Sequence, residues 1–254
     1  VGAEIAGGPD GVDVAYAALM TAFSMNFVYS INSWADWKID LINKPGRPIP
    51  AGKLTRRSAF IYCMFLLAVS VIFPVIVFKS PATLVLFETL PVLGILYSIK
   101  PFRFKRFLIP AVATTSLILV VPMMTGYFMN SNDLQILPFF LILFLYCLSV
   151  IPLKDIEDVT GDVHHASNNW MDKLGHRSLF IISLSGLALT LLLTAVLSIE
   201  PILKIYLYTF ISSTMVMILV FLLFRINITR LYKSIIYLVI VEGVTIFSVL
   251  YFSS

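Results

Sequence analysis

The sequence predicts an all-α fold, a polytopic membrane helical bundle of eight complete transmembrane helices plus the end of a truncated first helix. Three observations predict it. Of 254 residues, 59% are hydrophobic and only 13% charged, with a mean hydropathy of +0.95, well to the apolar side of a soluble domain. Apolar runs close to the roughly 20 residues that a helix needs to cross a bilayer recur at about 14–35, 58–78, 82–99, 107–128, 134–153, 178–198, 202–224 and 234–252. The positive charges are segregated. If the segment after the first complete span is internal, alternation puts 36–57, 100–106, 154–177 and 225–233 on that side; these hold 6, 4, 3 and 3 of the 18 Lys and Arg residues, leaving Lys79 and Lys204 outside. A lone lipid-exposed strand would leave its backbone unpaired, and the polar alternation of a membrane barrel is missing, so the spans read as helices.

The elements follow in order. Residues VGAEIAGGPDG form an apolar stub and a Gly/Pro turn without a signal-peptide pattern, as expected of the end of a preceding helix; the whole protein would then have nine spans. The run from Val14 to Ile31 closes in NSWADWKIDLINKPGRPIPAGK. There Asn32, Asp36 and Asp40 stand at i, i+4 and i+8, one helical face, and no Lys or Arg on that stripe neutralises both acids. A divalent cation would, and Mg²⁺ favours carboxylates together with the phosphate oxygens of a substrate.

Thr55 is placed to cap the next helix, with Arg56 and Arg57 at the membrane interface. After the outer turn KSPA comes a span that contains Glu88 and ends at Tyr97 in YSIKPFRFKR, which packs four cations and three aromatics into ten residues. Outer turn MNSND leads to the span before KDIEDVTGDVHH, where Asp155, Asp158 and Asp162 at i, i+3 and i+7 make a second carboxylate row and Glu157 points elsewhere. Asp158 follows Asp36 by 122 residues and Asp162 follows Asp40 by the same 122, each after a span running the same way. The chain therefore reads as one domain, 1–254, of two parallel pseudo-repeat halves, about 1–130 and 131–254. The polar stretch HHASNNWMDKLGHRS reads as a long loop suited to a lid, and two helical hairpins finish the chain.

Several residues need no special role. Cys63 and Cys147 fall inside spans, where a free thiol packs as a small hydrophobe, and no disulfide or zinc framework is present. His164, His165 and His176 lack metal spacing as a set, Glu88 and Glu242 suit hydrogen bonds between helices, and the sequon at Asn227 falls on the internal side. The net charge of +4 follows from topology and does not point to nucleic acid. Nothing points to an obligatory protein partner.

A metal–diphosphate site accounts for the two rows. Asp36, Asp40, Asp158 and Asp162 would hold Mg²⁺, with Asn32 and Asp155 beside them; Arg47, Lys53, Lys105 and Arg106, and Lys154 next to the second row, would meet phosphate. Apolar helices rich in Phe, Leu, Ile and Tyr suit a long hydrocarbon. An allylic prenyl diphosphate has both parts, and Tyr97 could offer its ring to the developing cation or serve only as an interfacial tyrosine.

The chain resembles the UbiA superfamily of intramembrane prenyltransferases. The first motif, NxxxDxxxD, stands as Asn32, Asp36 and Asp40, the second, DxxDxxxD, as Asp155, Asp158 and Asp162, and RPIPAG, YS…FKR and KDIEDVTGD also look like the family. The resemblance covers nearly the whole chain. It implies nine helices around a central cavity, two Mg²⁺ ions held by both motifs under cytoplasmic caps, phosphate contacts from Arg47 and Lys105, and a place in the cell membrane with the active-site loops cytoplasmic. Where many members follow the second motif with Arg and Gly before a Thr-Leu pair, this chain has Val163, His164, Ala166 and Asn169-Trp170; near Ile109 and Pro110 it also lacks an Asn common in the family. NKPGRPIP and KDIEDVTGD look most like the archaeal geranylgeranylglyceryl-phosphate geranylgeranyltransferases, implying geranylgeranyl diphosphate as donor and a lipid acceptor. Aromatic-acceptor enzymes of quinone synthesis share the core motifs, a UbiA-type terpene cyclase would ionise the same donor, and a transporter would more often break its helices at mid-membrane.

Overall fold

The computed structural model describes residues 11–78, 80–156 and 170–223 and six positions between 231 and 241, with side chains over 15–78, 80–153, 178–223 and those six. The described residues are α-helical or 3₁₀ throughout their regular elements, with no strand among them. Six helical segments, Arg56–Val77, Pro81–Ser98, Leu108–Phe128, Leu134–Leu153, Ser178–Val196 and Pro201–Leu223, are long and apolar enough to cross a membrane. They coincide with six of the eight expected spans to within a few residues. The stub at residues 1–10 and most of the last span, 234–252, lie outside the described residues. The chain forms two compact units that divide between Ser131 and Asn132.

The first unit contains α1 (Gly11–Ala35), α2 (Trp37–Asn43), α3 (Arg56–Val77), α4 (Pro81–Ser98), a 3₁₀ turn at Phe104–Arg106 and α5 (Leu108–Phe128). Helix α1 has 25 residues, about 38 Å at 1.5 Å per residue, a length that would cross a bilayer, but Ser24, Asn26, Ser30 and Asn32 lower its hydropathy and it is not among those six. Thr55 caps α3 as expected, its hydroxyl accepting from Ser58 N at 3.1 Å, while Ser80 and Pro81 start α4 with an N-cap and a first-turn proline. Prolines 74, 91 and 122 lie inside α3, α4 and α5, tolerated where neighbouring helices shield the backbone.

Buried Phe27 and Ile31 of α1 pack on Cys63 and Leu66 of α3, which gives Cys63 the core role expected of it. Met20 packs on Phe87 of α4, and Val28 on Leu93 and Ile118. The close approach of α1 and α4 depends on Gly94, where a Cβ would stand 3.0 Å from Val28 Cγ2. On α3, Ile61, Phe65, Ile72 and Ile76 are each more than half exposed, the outward stripe of a lipid-facing helix.

Two hydrogen bonds fix which ends meet. Ser98 Oγ, at the end of α4, lies 3.4 Å from Asn32 Oδ1 near the end of α1, and Thr83 Oγ1, at the start of α4, donates to the Phe128 carbonyl at the end of α5 at 3.0 Å. The connections 36–55 and 99–107 therefore share one end of the unit, and both are basic segments, as the charge alternation requires.

The second unit holds α6 (Leu137–Val150), flanked by 3₁₀ turns at Leu134–Ile136 and Ile151–Ile156, then α7 (Trp170–Val196) and α8 (Pro201–Leu223). Helix α7 corrects one expectation: its backbone is helical from Trp170, so the second half of the polar stretch read as a loop belongs to the helix. Trp170, Met171 and Leu174 recur at i, i+1 and i+4, an apolar stripe too short to stand out among Asp172, Lys173, His176 and Arg177. Gly186 lets α7 meet α6, since a Cβ there would collide with Ser149 Oγ. Tyr146 packs against Phe210 in a tilted ring pair, 4.4 Å between centroids and 38° between planes, its hydroxyl 2.9 Å from Thr214 Oγ1. Lys204, one of the two cations expected outside, reaches back to the Ala195 and Leu197 carbonyls at 2.9 and 3.2 Å and so satisfies the open end of α7.

Candidate functional site

The backbone carries the first acidic row through a bend. Asp36 stands between α1 and α2 with φ −98° and ψ 9°, yet Asp36 N to Asn32 O, Asp40 N to Asp36 O and Lys44 N to Asp40 O are each 2.9 Å. The i to i−4 ladder thus runs on, and the three side chains stay a turn apart. Beyond Lys44, prolines 45, 48 and 50 fix three φ angles. Ala51 N bonds Arg47 O at 2.9 Å, Lys53 N bonds Pro48 O at 3.0 Å, and Gly52 takes φ 70°. The chain folds back compactly, and Arg47 Nη1 comes to 2.6 Å from Asp40 Oδ2.

The other wall comes from the segment after α4. Arg103 adopts a left-handed conformation, φ 41° and ψ 57°, and its carbonyl accepts from Arg106 N at 3.0 Å to open the 3₁₀ turn. That turn aims Arg103 and Lys105 at Asp36. Arg103 Nη2 lies 3.2 Å from Asp36 Oδ1; Lys105 Nζ is in direct contact with the same oxygen and 3.3 Å from Asn32 Oδ1. Asp36 and Lys105 side chains are only 12% and 14% exposed, so water screens the pair weakly. Asp40 is buried, and burial pushes its carboxyl above the ordinary value against the hydrogen bond and charge of Arg47.

The row therefore carries counter-ions that its own helix does not supply and that come from segments folded against it. The donor set still suits Mg²⁺. An amide oxygen and a carboxylate oxygen, both hard ligands, converge on one point, and a protein cation stands there. Among the described residues no three His, Cys, Asp or Glu side chains stand together as a metal cluster.

The expected residues divide as follows. Asn32, Asp36 and Lys105 are brought together, and Asp40 and Arg47 form a second pair beside them. Lys53 and Arg106 lie on the adjoining segments with exposed side chains. Tyr97 is half-buried in the last turn of α4, next to the Ser98 that meets Asn32. Lys154 and Asp155 fall in the 3₁₀ turn Ile151–Ile156 of the other unit, with only their backbone described, and Asp158 and Asp162 lie outside the described residues. Arg103 was not among the expected residues. Its signal was the charge density of YSIKPFRFKR, in which only the conformation decides which cations turn inward.

The model of the UbiA prenyltransferase family matches residues 2–235. The chain belongs to that family. As a UbiA-family member with six described spans it is an integral, multi-pass membrane protein. The digeranylgeranylglyceryl phosphate synthase of Methanosphaera stadtmanae is 35% identical over 133 residues, 52% of this chain and 47% of that protein. That of Methanobrevibacter smithii is 30% identical over 190 residues, 68% of this chain and 62% of the other. The match thus spans about half to three-fifths of those relatives. A probable homogentisate phytyltransferase 2 of rice is 27% identical over 179 residues, 63% of this chain and 44% of that protein. Among solved structures, a UbiA homolog from Archaeoglobus fulgidus bound to GPP and Mg²⁺ superposes with TM-score 0.75 at 18% identity, covering 92% of this chain and 87% of that one. At that identity the likeness establishes the UbiA fold.

Proposed function

We propose that this UbiA-family chain transfers a prenyl group from an allylic prenyl diphosphate to a lipophilic acceptor, using Mg²⁺. The favoured reaction is geranylgeranyl transfer to geranylgeranylglyceryl phosphate in ether-lipid synthesis. The observation that carries this reading is the convergence of Asn32 and Asp36 oxygens on one cation position, ringed by Arg103, Lys105 and the Asp40–Arg47 pair. Family membership and the archaeal synthases among its relatives support it. Asn32, Asp36 and Asp40, with Asp155, Asp158 and Asp162 by their spacing, are assigned to hold the metal, as two ions.

In this reading Arg47, Arg103 and Lys105 bind the diphosphate oxygens, with Lys53 and Arg106 at the rim, and they stabilise the charge that gathers as the allylic C–O bond breaks. Bound Mg²⁺ would add Lewis-acid neutralisation of the same leaving group. Tyr97 offers its ring to the allylic cation. The acceptor hydroxyl forms the new C–O bond and gives up its proton, and diphosphate leaves. The loops 36–55 and 99–107 face the cytoplasm, the side that their cations favour, and the membrane is the cell membrane. The rice relative favours one second reading, an aromatic acceptor.

The test is mass spectrometry of products from purified protein given geranylgeranyl diphosphate and Mg²⁺ with geranylgeranylglyceryl phosphate, 4-hydroxybenzoate or no acceptor. A digeranylgeranyl ether supports the lipid reaction, and a prenylated benzoate moves the chain to quinone synthesis. A cyclised product without acceptor makes it a cyclase, and intact diphosphate in every arm overturns prenyl transfer from this donor.

A further inference from the structure

We infer that Ser24, Ser70 and Glu88 enclose an internal water site where α1, α3 and α4 meet, and that this water joins the three helices inside the first unit. Their buried oxygens, Ser24 Oγ, Ser70 Oγ and Glu88 Oε1, have no hydrogen-bond partner among the described residues. Both serines are fully buried. Elsewhere in the same unit hydroxyls turn onto their own helix: Thr89, Thr115, Ser116 and Thr125 each donate to the carbonyl four residues back. Ser24 and Ser70 do not, which leaves their protons for another acceptor.

Helix register brings the three together. Trp34 of α1 meets Phe60 of α3 at 5.1 Å between ring centroids, and over the next two turns Ile31 and Phe27 pack with Cys63 and Leu66. One further turn of this antiparallel pairing sets Ser24 level with Ser70. Helix α4 runs parallel to α1, with Gly94 against Val28 and Ser98 against Asn32, an offset that places Leu90 level with Ser24 and Glu88 half a turn away. Ile95 and Ile99 mark the side of α4 that packs on the α1–α3 cluster, and Glu88 lies on that side two turns before Ile95.

The backbone adds two acceptors at the same level. Pro74 and Pro91 lie inside α3 and α4 and have no N–H, so the ladder supplies no donor to the carbonyls of Ser70 and Phe87. The junction is thus rich in oxygen and poor in protons, in a stretch where lipid offers no substitute. The three side chains do not bond one another. What joins them must be small and able both to donate and to accept. Water does both, and inside proteins it commonly makes about three hydrogen bonds. Glu88 in this arrangement connects helices through a shared molecule and not through a direct bond.

The test is radiolytic hydroxyl-radical labelling of the full chain in lipid nanodiscs, read by mass spectrometry, since radicals formed from an enclosed water modify the side chains around it. Phe27 and Phe87 flank the junction and are fully buried; Phe139 of the second unit is equally buried and serves as the comparison. Phe27 and Phe87 are expected to take label that Phe139 does not, and to lose it in the Ser24→Ala, Ser70→Ala double variant. A denaturant-unfolding cycle of Ser24→Ala and Glu88→Leu should show coupling of about threefold in the equilibrium constant, the usual size for polar contacts between membrane helices. Glu88→Gln, which keeps an acceptor oxygen, should retain most of that coupling, and gel filtration verifies the fold of each variant. Label on Phe27 and Phe87 no higher than on Phe139, or undiminished in the double serine variant, overturns the inference; if Glu88→Leu does not fold, this arm decides alone. Additive effects of Ser24→Ala and Glu88→Leu overturn the bridge as well. A wild-type melting temperature that climbs with Na⁺ but not with choline, and does not climb in Glu88→Gln, overturns water in favour of a bound cation.

Discussion

Arg47 Nη1 lies 2.6 Å from Asp40 Oδ2, seven residues back along the chain, and turns a buried carboxylate into half of an ion pair. Three prolines and the left-handed Gly52 fold the segment that makes this reach possible. The pair does not wholly offset burial, because the Asp40 carboxyl remains above its ordinary value of 3.8. Between that value and the raised one, the folded chain holds a proton that the unfolded chain has lost. Stability therefore falls as pH rises through this window and stays reduced above it. Asp40→Asn should accordingly melt no lower than wild type at neutral pH without metal, while prenyl transfer collapses. A lower melting temperature for the variant would contradict this sign.

Removing the other partner should act in the opposite sense. Arg47→Ala leaves Asp40 buried without its guanidinium, a loss of about 1–3 kcal/mol once the partial exposure of Arg47 is discounted. It should also raise KM for the prenyl diphosphate. Denaturant melts of Arg47→Ala and of Asp40→Asn with Arg47→Ala test the pairing: the double variant should regain stability but not activity, and additive effects would dissolve the pair.

Asp36→Ala and Asp158→Ala should each abolish Mg²⁺-dependent turnover and leave a folded, detergent-soluble protein. Turnover assays beside gel filtration check this, and near-normal turnover in either variant removes that residue from the metal set.

Arg103 separates conformation from charge. Its left-handed backbone costs an ordinary side chain about 1 kcal/mol or more, so in Arg103→Gly the relieved backbone should offset part of the stability lost with the Asp36 ion pair, and that variant should melt above Arg103→Ala. Its kcat/KM should nevertheless fall by about 10²-fold, the usual loss of a charge-stabilising donor. Activity that survives in Arg103→Gly but not in Arg103→Lys would show that the turn matters and the guanidinium does not.

The second unit offers a packing test away from this chemistry. Gly186→Ala would bring a methyl onto Ser149 Oγ, with Ser149 Cβ 3.0 Å away, and should destabilise by about 1–3 kcal/mol as overpacked cores do. Ser149→Ala in the same chain should restore part of the loss in a thermal melt, whereas no recovery would place the strain elsewhere.

Much of this was legible in the sequence because membranes impose few solutions. Apolar length and cation placement located six described spans, and helical spacing picked out Asn32, Asp36 and Asp40 before any coordinate. What escaped detection was tertiary. Arg103 and Lys105 reach Asp36 across more than sixty residues of sequence through a left-handed residue and a 3₁₀ turn, neither of which has a compositional mark. Asp40 found its partner through a proline-rich fold-back that could be read as a turn but not aimed. The early start of α7 at Trp170 was hidden for a similar reason: a single amphipathic turn among charges looks like a loop until the longer helix behind it extends it.

The aromatic side chains around Arg56 bear on how the molecule meets a changing bilayer. The Arg56 guanidinium lies over the rings of Trp34 and Trp37, 4.9 and 5.5 Å from their centroids, and Trp34 leans on Phe60 at 5.1 Å. Tryptophan and arginine both settle at the headgroup boundary. This cluster sits on either side of Asp36 in the chain and joins it to α3, so it acts as a depth gauge for the carboxylates. In a thicker or thinner membrane the mismatch would be taken up by tilt at the distal ends of the helices, and the carboxylates would keep their height relative to the lipid headgroups.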